Sequence, residues 1–545
     1  MKGRHVSALA GTMLFALLVL PQVWAADEPF TLKVYSTAQQ PLPPSDNKIY
    51  KLMKERLGVN FQWDLVVGSE LQKFGVMVAS GDLPDLVYLT ADTSPKILDI
   101  NGLVPLEDLI TKYAPNLRRV YAGLWEKMKA PDGHIYLFPG TGAVQGKPTD
   151  TTYQGPAMWI QKAVMKEAGY PKITTIDEYF QLVRDYKSQH PKTADGKPTI
   201  GFGILTYDWA KFMLINPPPF LAGNPNDGGG VVDKKTFVFK AQYPLDIAKR
   251  WYKILNEQNA LGVVDRDAFI DNRDQYLAKI ANGQMLAAHD QGWHFPDSST
   301  ALISQGKVWQ TWMPLPIVFD KNIKPWWRDR TVPNLTNGYG ITSKAKDPVR
   351  IIKFLDAQIT DEWQKIFFWG IQGEDYQLNV QGVPFRTPEQ RRQQEDPSWI
   401  LHNKANLWTA SSPKVEGSYS DGNAVVISDI PGEYQASLHE EDREVLKAYK
   451  VSSYAELMDP NPPPNPVYYP AWQLSPPDST PGGVAARKAE TAYMKNLPKV
   501  IFGKTADFDK NWRTYLDDLA KANLGEYEKY IQAGINQRLK TWGKP

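Results

Sequence analysis

The chain contains no cysteine in its 545 residues. Disulfides are therefore excluded, and so is the lipid-bearing Cys that would tether an exported protein behind its leader. Stability has to come from packing alone. An excess of one charge sign is also lacking, since 62 Lys and Arg face 60 Asp and Glu. That balance leaves no footprint for nucleic acid and does not support binding to a membrane surface, although a few local arginines could still hold an acidic ligand. Neither a Gly-rich phosphate loop nor a nucleophile elbow occurs. Histidines number only seven, and His289 and His294 flank a Gly and a Trp instead of sharing a helical face. With no thiols, no metal and no cofactor are expected.

One long apolar run exists, from Val6 to Leu20, behind Lys2, Arg4 and His5. It is too short to span a bilayer, and Val23-Trp24-Ala25 offers small residues for a signal peptidase, so residues 1–25 read as a cleavable export signal. Cleavage is expected after Ala25, with Ala26 as the fallback. Losing Lys2 and Arg4 leaves 60 basic residues against 60 acidic. The expected mature product is a soluble monomer, untethered in the periplasm. At about 520 residues it exceeds the size at which one core stops growing, which implies at least two lobes.

Aromatic residues are abundant, with 18 Trp and 26 Tyr. Most such rings belong to cores, because they bury large areas wherever they occur. The first hundred residues alternate between two periods. Leu32 and Val34 mark a strand; Ile49, Leu52, Met53 and Leu57 a helix ended by Gly58; Val59, Phe61 and Trp63 a strand; Leu71, Phe74, Met77 and Val78 a helix ended by Gly81; and residues 85–89 a strand. This order builds a parallel sheet whose ligands sit beyond the strands' carboxyl ends. The loops Ser36 to Asn47, with Gln39, and Thr90-Ala91-Asp92 thereby become site candidates, as well as ordinary polar turns. A second unit opens with Met158-Trp159-Ile160, followed by a capping-box spacing at Thr175 and Glu178.

Several segments resemble the extracellular solute-binding protein family 1, the periplasmic carbohydrate-binding components of ABC importers, in the branch of alginate-oligosaccharide and LplA-like binders. They are residues 79–86 (ASGDLPDL), 132–139 (DGHIYLFP), Met158 to Tyr170 with Thr174 to Tyr179, 281–287 (ANGQMLA), 369–376 (WGIQGEDY) and Trp512 to Glu526. The resemblance implies a type II, two-lobed α/β fold, each lobe a mainly parallel sheet flanked by helices, closing on a ligand in the interlobe cleft. Its implied function is capture of a carbohydrate, an oligosaccharide and possibly an acidic one, for delivery to membrane permease subunits, with no catalysis. An oligopeptide or other solute binder and a secreted carbohydrate-active enzyme are the alternatives; composition alone does not remove a glycosidase carboxylate pair. On this reading residues 26–155 form the first lobe, 156–336 the second, 337–376 a return to the first, and 377–545 the second lobe with a C-terminal helical extension.

Sugar sites stack rings on pyranose faces and bind hydroxyls with carboxylates, amides and guanidinium groups. Trp293, close behind Asp290, is the foremost candidate. Tyr207-Asp208-Trp209 places two rings around an acid, and Trp326-Trp327-Arg328 places rings beside a cation; either could line the cleft or pack elsewhere. Trp408, Tyr419 and Asp421 are candidates for the mouth, and Arg386 for an anionic ligand, which a guanidinium holds bidentately. Members of the alginate branch carry a calcium loop where residues 189–198 stand here, yet this loop has the single carboxylate Asp195. Calcium takes about six to eight oxygens, so a tight turn without metal is expected.

Overall fold

The computed structural model describes residues 29–543 apart from 39, 131, 148 and 150. The export signal, its cleavage point and Gln39 therefore lie outside the described residues.

Local signals set the first lobe. Asn47 caps the helix Lys48–Leu57 by accepting the amides of Ile49 and Tyr50, and Gly58 closes it at φ 66°. Ser69 caps Glu70–Ser80 in the same way, with Gly81 at φ 69°. Between these helices run the strands Phe30–Ser36, Val59–Leu65 and Leu86–Leu89, which pair in parallel. The five-stranded sheet is ordered Val59–Leu65, Phe30–Ser36, Leu86–Leu89, Gly338–Ile341, Phe138–Pro139, and its fourth strand is antiparallel to both neighbours.

A second sheet of four strands is ordered Trp312–Leu315, Pro156–Gln161, Met285–Gln291, Ile200–Gly203. The last two pair in parallel and end on the same side. The helix Ile176–Gln189 beside them starts with the capping box anticipated at Thr175 and Glu178. The C-terminal helices Pro481–Phe502 and Phe508–Ala520 add Leu497, Ile501, Trp512 and Tyr515 to this second core.

The two sheets have separate hydrophobic cores. The chain passes between them through residues 140–155, through 316–337, and again after Ile430. Asp429 ties the first of these passages to the last: its carboxylate accepts from the Thr152 amide at 3.1 Å and from the Thr152 hydroxyl, and its carbonyl from the Thr151 hydroxyl at 3.0 Å. The Lys147 amide adds a bond to Ser418 Oγ at 2.8 Å.

One expectation needs correcting. The segment past Tyr376 does not go straight to the second lobe, because Ala405, Trp408, Val415, Tyr419, Val425 and Ile430 are packed in the first core. Trp408 is the centre of this packing. It is fully buried, lies 5.3 Å from Tyr339 and 5.2 Å from Phe61, and donates its indole N–H to Gln358 Oε1 at 2.7 Å. A polar, weakly patterned stretch hid a core residue whose partners are 50 to 350 positions away in sequence.

Replacing Trp408 by Ala should destabilise the first lobe by about 3–5 kcal/mol, the usual cost of deleting a buried large aromatic. Urea unfolding of wild type and variant measures this, and a loss below about 1 kcal/mol would show that the ring is not a core anchor.

Candidate functional site

The carboxyl ends of the two parallel strands in the second sheet lead into two short 3-10 turns, Asp208–Lys211 and Gly292–His294. They bring Trp209 and Trp293 together, with centroids 5.9 Å apart and planes 29° from parallel. Phe212 extends the stack, 6.0 Å from Trp209 at 17°. Trp293 is 51% exposed, and Tyr207 and Trp209 are each 37% exposed. Large rings left open in this way are uncommon without a ligand to cover them.

The platform is held from below. Asp290 is fully buried, receives the Tyr276 hydroxyl at 3.0 Å, and lies 2.9 Å from His294 Nδ1. His294 stacks on Tyr276 and packs edge-on against Trp209 at 5.3 Å. Asp290 therefore positions the rings and does not reach a ligand, which corrects its expected role. Gly292 lets the turn approach the backbone of Gln154, where a Cβ would come within 2.8 Å of Cα. Asp208 is held at φ 49°, a left-handed conformation unusual outside glycine that is often retained at functional positions.

Across from the platform stand groups at the carboxyl ends of the first sheet. Glu70, the first residue of its helix, accepts the Thr90 hydroxyl at 3.2 Å. Its pKa is raised to about 7, first by burial, with Asp208 and Asp92 adding to the rise and the Thr90 hydrogen bond opposing it. Asp208 acts on Glu70 from an element of the other lobe. Asp92 is likewise raised, chiefly by burial, with Lys211 opposing and Glu490 adding from the second lobe. The buried Tyr35 hydroxyl has no hydrogen-bond partner among the described residues, and its pKa is raised first by burial and further by Glu70, Asp64 and Asp208. Lys96 reaches Asp478 at 3.8 Å, an ion pair between the lobes.

The remaining candidates fall elsewhere. Arg386 is buried, its amide donates to Glu433 Oε2 at 3.0 Å, and its guanidinium lies 3.5 Å from the Trp369 carbonyl. Burial lowers its pKa to about 10, against the pull of Glu433 and Asp375. It is a framework residue of the first lobe, and the expected role in holding an anionic ligand is corrected. Trp408 is a core residue, as is Trp327, which stacks on Phe220 at 4.5 Å; Arg328 bonds the Ala455 carbonyl at 3.0 Å. Tyr419 is buried against Trp369, and Asp421 pairs with Lys365. The loop at 189–198 is a turn closed by Thr193 and Lys197, and Asp195 is engaged by Lys307 at 2.8 Å. A different set of carboxylates, Asp265, Asp267 and Asp271, surrounds the ammonium of Lys279 at 2.6–3.0 Å, so an internal cation already neutralises them. No group of acids or histidines able to hold a metal occurs among the described residues.

Sequence reasoning missed Glu70, Tyr35 and Phe212. Each sits inside a regular helix or strand pattern, where periodicity accounts for it without further meaning.

Because Glu70 has a raised pKa, its stabilising contribution is fully present below its ordinary value of 4.5 and is lost as pH rises through about 7. The Glu70→Gln variant should therefore show a flatter fall in unfolding free energy than wild type between pH 4.5 and pH 7. Denaturant titrations across that range measure the difference; identical slopes would contradict the environment described for Glu70.

No family model matches the chain. Over 372 residues it is 26% identical to the fructooligosaccharide ABC transporter substrate-binding protein FusA of Streptococcus pneumoniae serotype 4, covering 64% of this chain and 65% of that protein. The match thus spans slightly less than two thirds of the relative's length. Solved structures extend the likeness in fold. The alginate-binding protein AlgQ2 without calcium ion aligns with a TM-score of 0.65 at 17% identity, over 94% of this chain and 99% of that one. FusA of S. pneumoniae in complex with kestose gives 0.65 at 20%, over 94% and 100%. A solute-binding protein of Bifidobacterium longum infantis associated with an HMO-binding ABC transporter gives 0.63 at 15%, over 93% and 99%. The chain has the two-lobed fold of the carbohydrate solute-binding proteins of ABC transporters and is similar in sequence to one of them.

Proposed function

We propose that this protein is the substrate-binding component of an ABC importer, exported to the periplasm, where it captures an oligosaccharide between its lobes and presents it to membrane permease subunits. The observation that carries this reading is the exposed Trp209–Trp293 platform beside Asp208, which itself acts on Glu70 of the other lobe. An apolar ring surface opposite hydroxyl acceptors matches the two kinds of surface on a pyranose or furanose ring. Similarity to a fructooligosaccharide binder supports the same class of ligand. Of the residues offered by the sequence, this reading uses Tyr207, Trp209, Trp293 and Asp92.

The protein acts here by binding and release without chemistry. The lobes approach around the passages tied by Asp429, and closure buries the sugar against both walls. The sugar should be recovered unchanged after prolonged incubation, as chromatography of the released ligand would show; accumulation of shortened products would support the enzyme alternative instead.

A thermal-shift panel of oligosaccharides and peptides tests the ligand class. A binding sugar should raise the melting temperature with concentration. Trp293→Ala should then weaken it by at least about 2 kcal/mol, roughly thirtyfold, as loss of a central aromatic anchor does. Shifts with peptides and none with sugars would overturn the proposal.

A further inference from the structure

The charges around the platform are unequal. Four basic residues on the surrounding elements are already engaged. Lys211 pairs with Glu490 at 2.5 Å, Lys96 reaches Asp478 at 3.8 Å, Arg487 holds the same Asp478 at 2.5 Å, and Lys73 is taken by Asp64 at 2.5 Å. Glu70, Asp92 and Asp208 have no such cation among the described residues, and they lie near enough for Asp208 and Asp92 both to act on Glu70. The arginine that the sequence offered for an anionic ligand, Arg386, is enclosed with Glu433 away from these groups.

We infer that the ligand is an oligosaccharide without acidic groups, whose hydroxyls donate to Glu70, Asp92 and Asp208 while a ring lies on Trp209 and Trp293. The inference rests on the reading of the cleft as a sugar site and narrows it. A neutral ring brings only hydroxyl donors, which carboxylates accept strongly. A uronate brings a further negative charge into a space that already holds three acids, where the cations acting on Asp92, Lys211 and Lys96, are already paired with Glu490 and Asp478. That unfavourable juxtaposition rejects the wrong ligand as effectively as good contacts select the right one.

Isothermal titration of the mature protein tests the inference directly. The neutral probes are tri- and tetrasaccharides of fructose, glucose, galactose or mannose; the acidic ones are tri- and tetragalacturonate and mannuronate oligomers of the same lengths. At least one neutral probe should bind, and every uronate should bind at least roughly tenfold more weakly, the minimum expected of like charges brought together. A uronate binding as tightly as the best neutral probe overturns the inference while leaving sugar capture intact. Peptide binding with no sugar binding removes the sugar reading itself, and the inference with it. As a second measurement, the double variant Glu70→Gln, Asp208→Asn should weaken the neutral ligand by about tenfold or more through loss of carboxylate acceptors, with a cooperative thermal transition retained. Unchanged affinity in a folded double variant would also overturn the inference.

Discussion

The structure depends on a division: the main hydrophobic core beside each of the two larger sheets shares no buried residue with the other among the described residues, and a few chain passages bridge them. Because each lobe satisfies its own apolar surface, the space between the lobes is left to polar groups and to rings not needed for stability. That is the condition for a cleft able to open and close without unfolding. Asp429, at the start of the passage after Ile430, holds Thr151 and Thr152 and so ties the first passage to the last.

Within that frame the site is assembled from two unlike walls. The second lobe supplies rings, held from beneath by the buried Asp290, His294 and Tyr276. The first lobe supplies acids and hydroxyls at the ends of its parallel strands. Neither wall alone recognises a sugar well: rings give area without direction, and carboxylates in water give direction with little net energy. Bringing them together excludes water and makes both contributions count. Asp290, three residues before Trp293, supports the platform from the interior.

Much of this was legible in the sequence. Alternating periods 2 and 3.6 over the first hundred residues gave the order of elements in the first sheet, and the capping box at Thr175 located a helix start. Trp293 and the Tyr207–Trp209 pair were offered because rings stand there beside polar residues, with packing as the alternative, and the structure leaves all three rings partly exposed. Trp408 and Arg386 failed for the converse reason. Their partners, Phe61 and Tyr339 for one and Glu433 for the other, are distant in sequence, so nothing local showed that they were already used. Glu70 was hidden differently: a helix-start acid is ordinary, and only the fold reveals that Asp208 stands opposite.

The central claim is that a sugar is held between the lobes, on the rings of one and against the acids of the other. A crystal structure of the protein with a bound neutral oligosaccharide tests it most directly. The account predicts density for a sugar ring lying on Trp209 and Trp293, with hydroxyls within hydrogen-bond distance of Glu70, Asp92 or Asp208. Sugar density elsewhere on the molecule, with this platform uncovered, would contradict it.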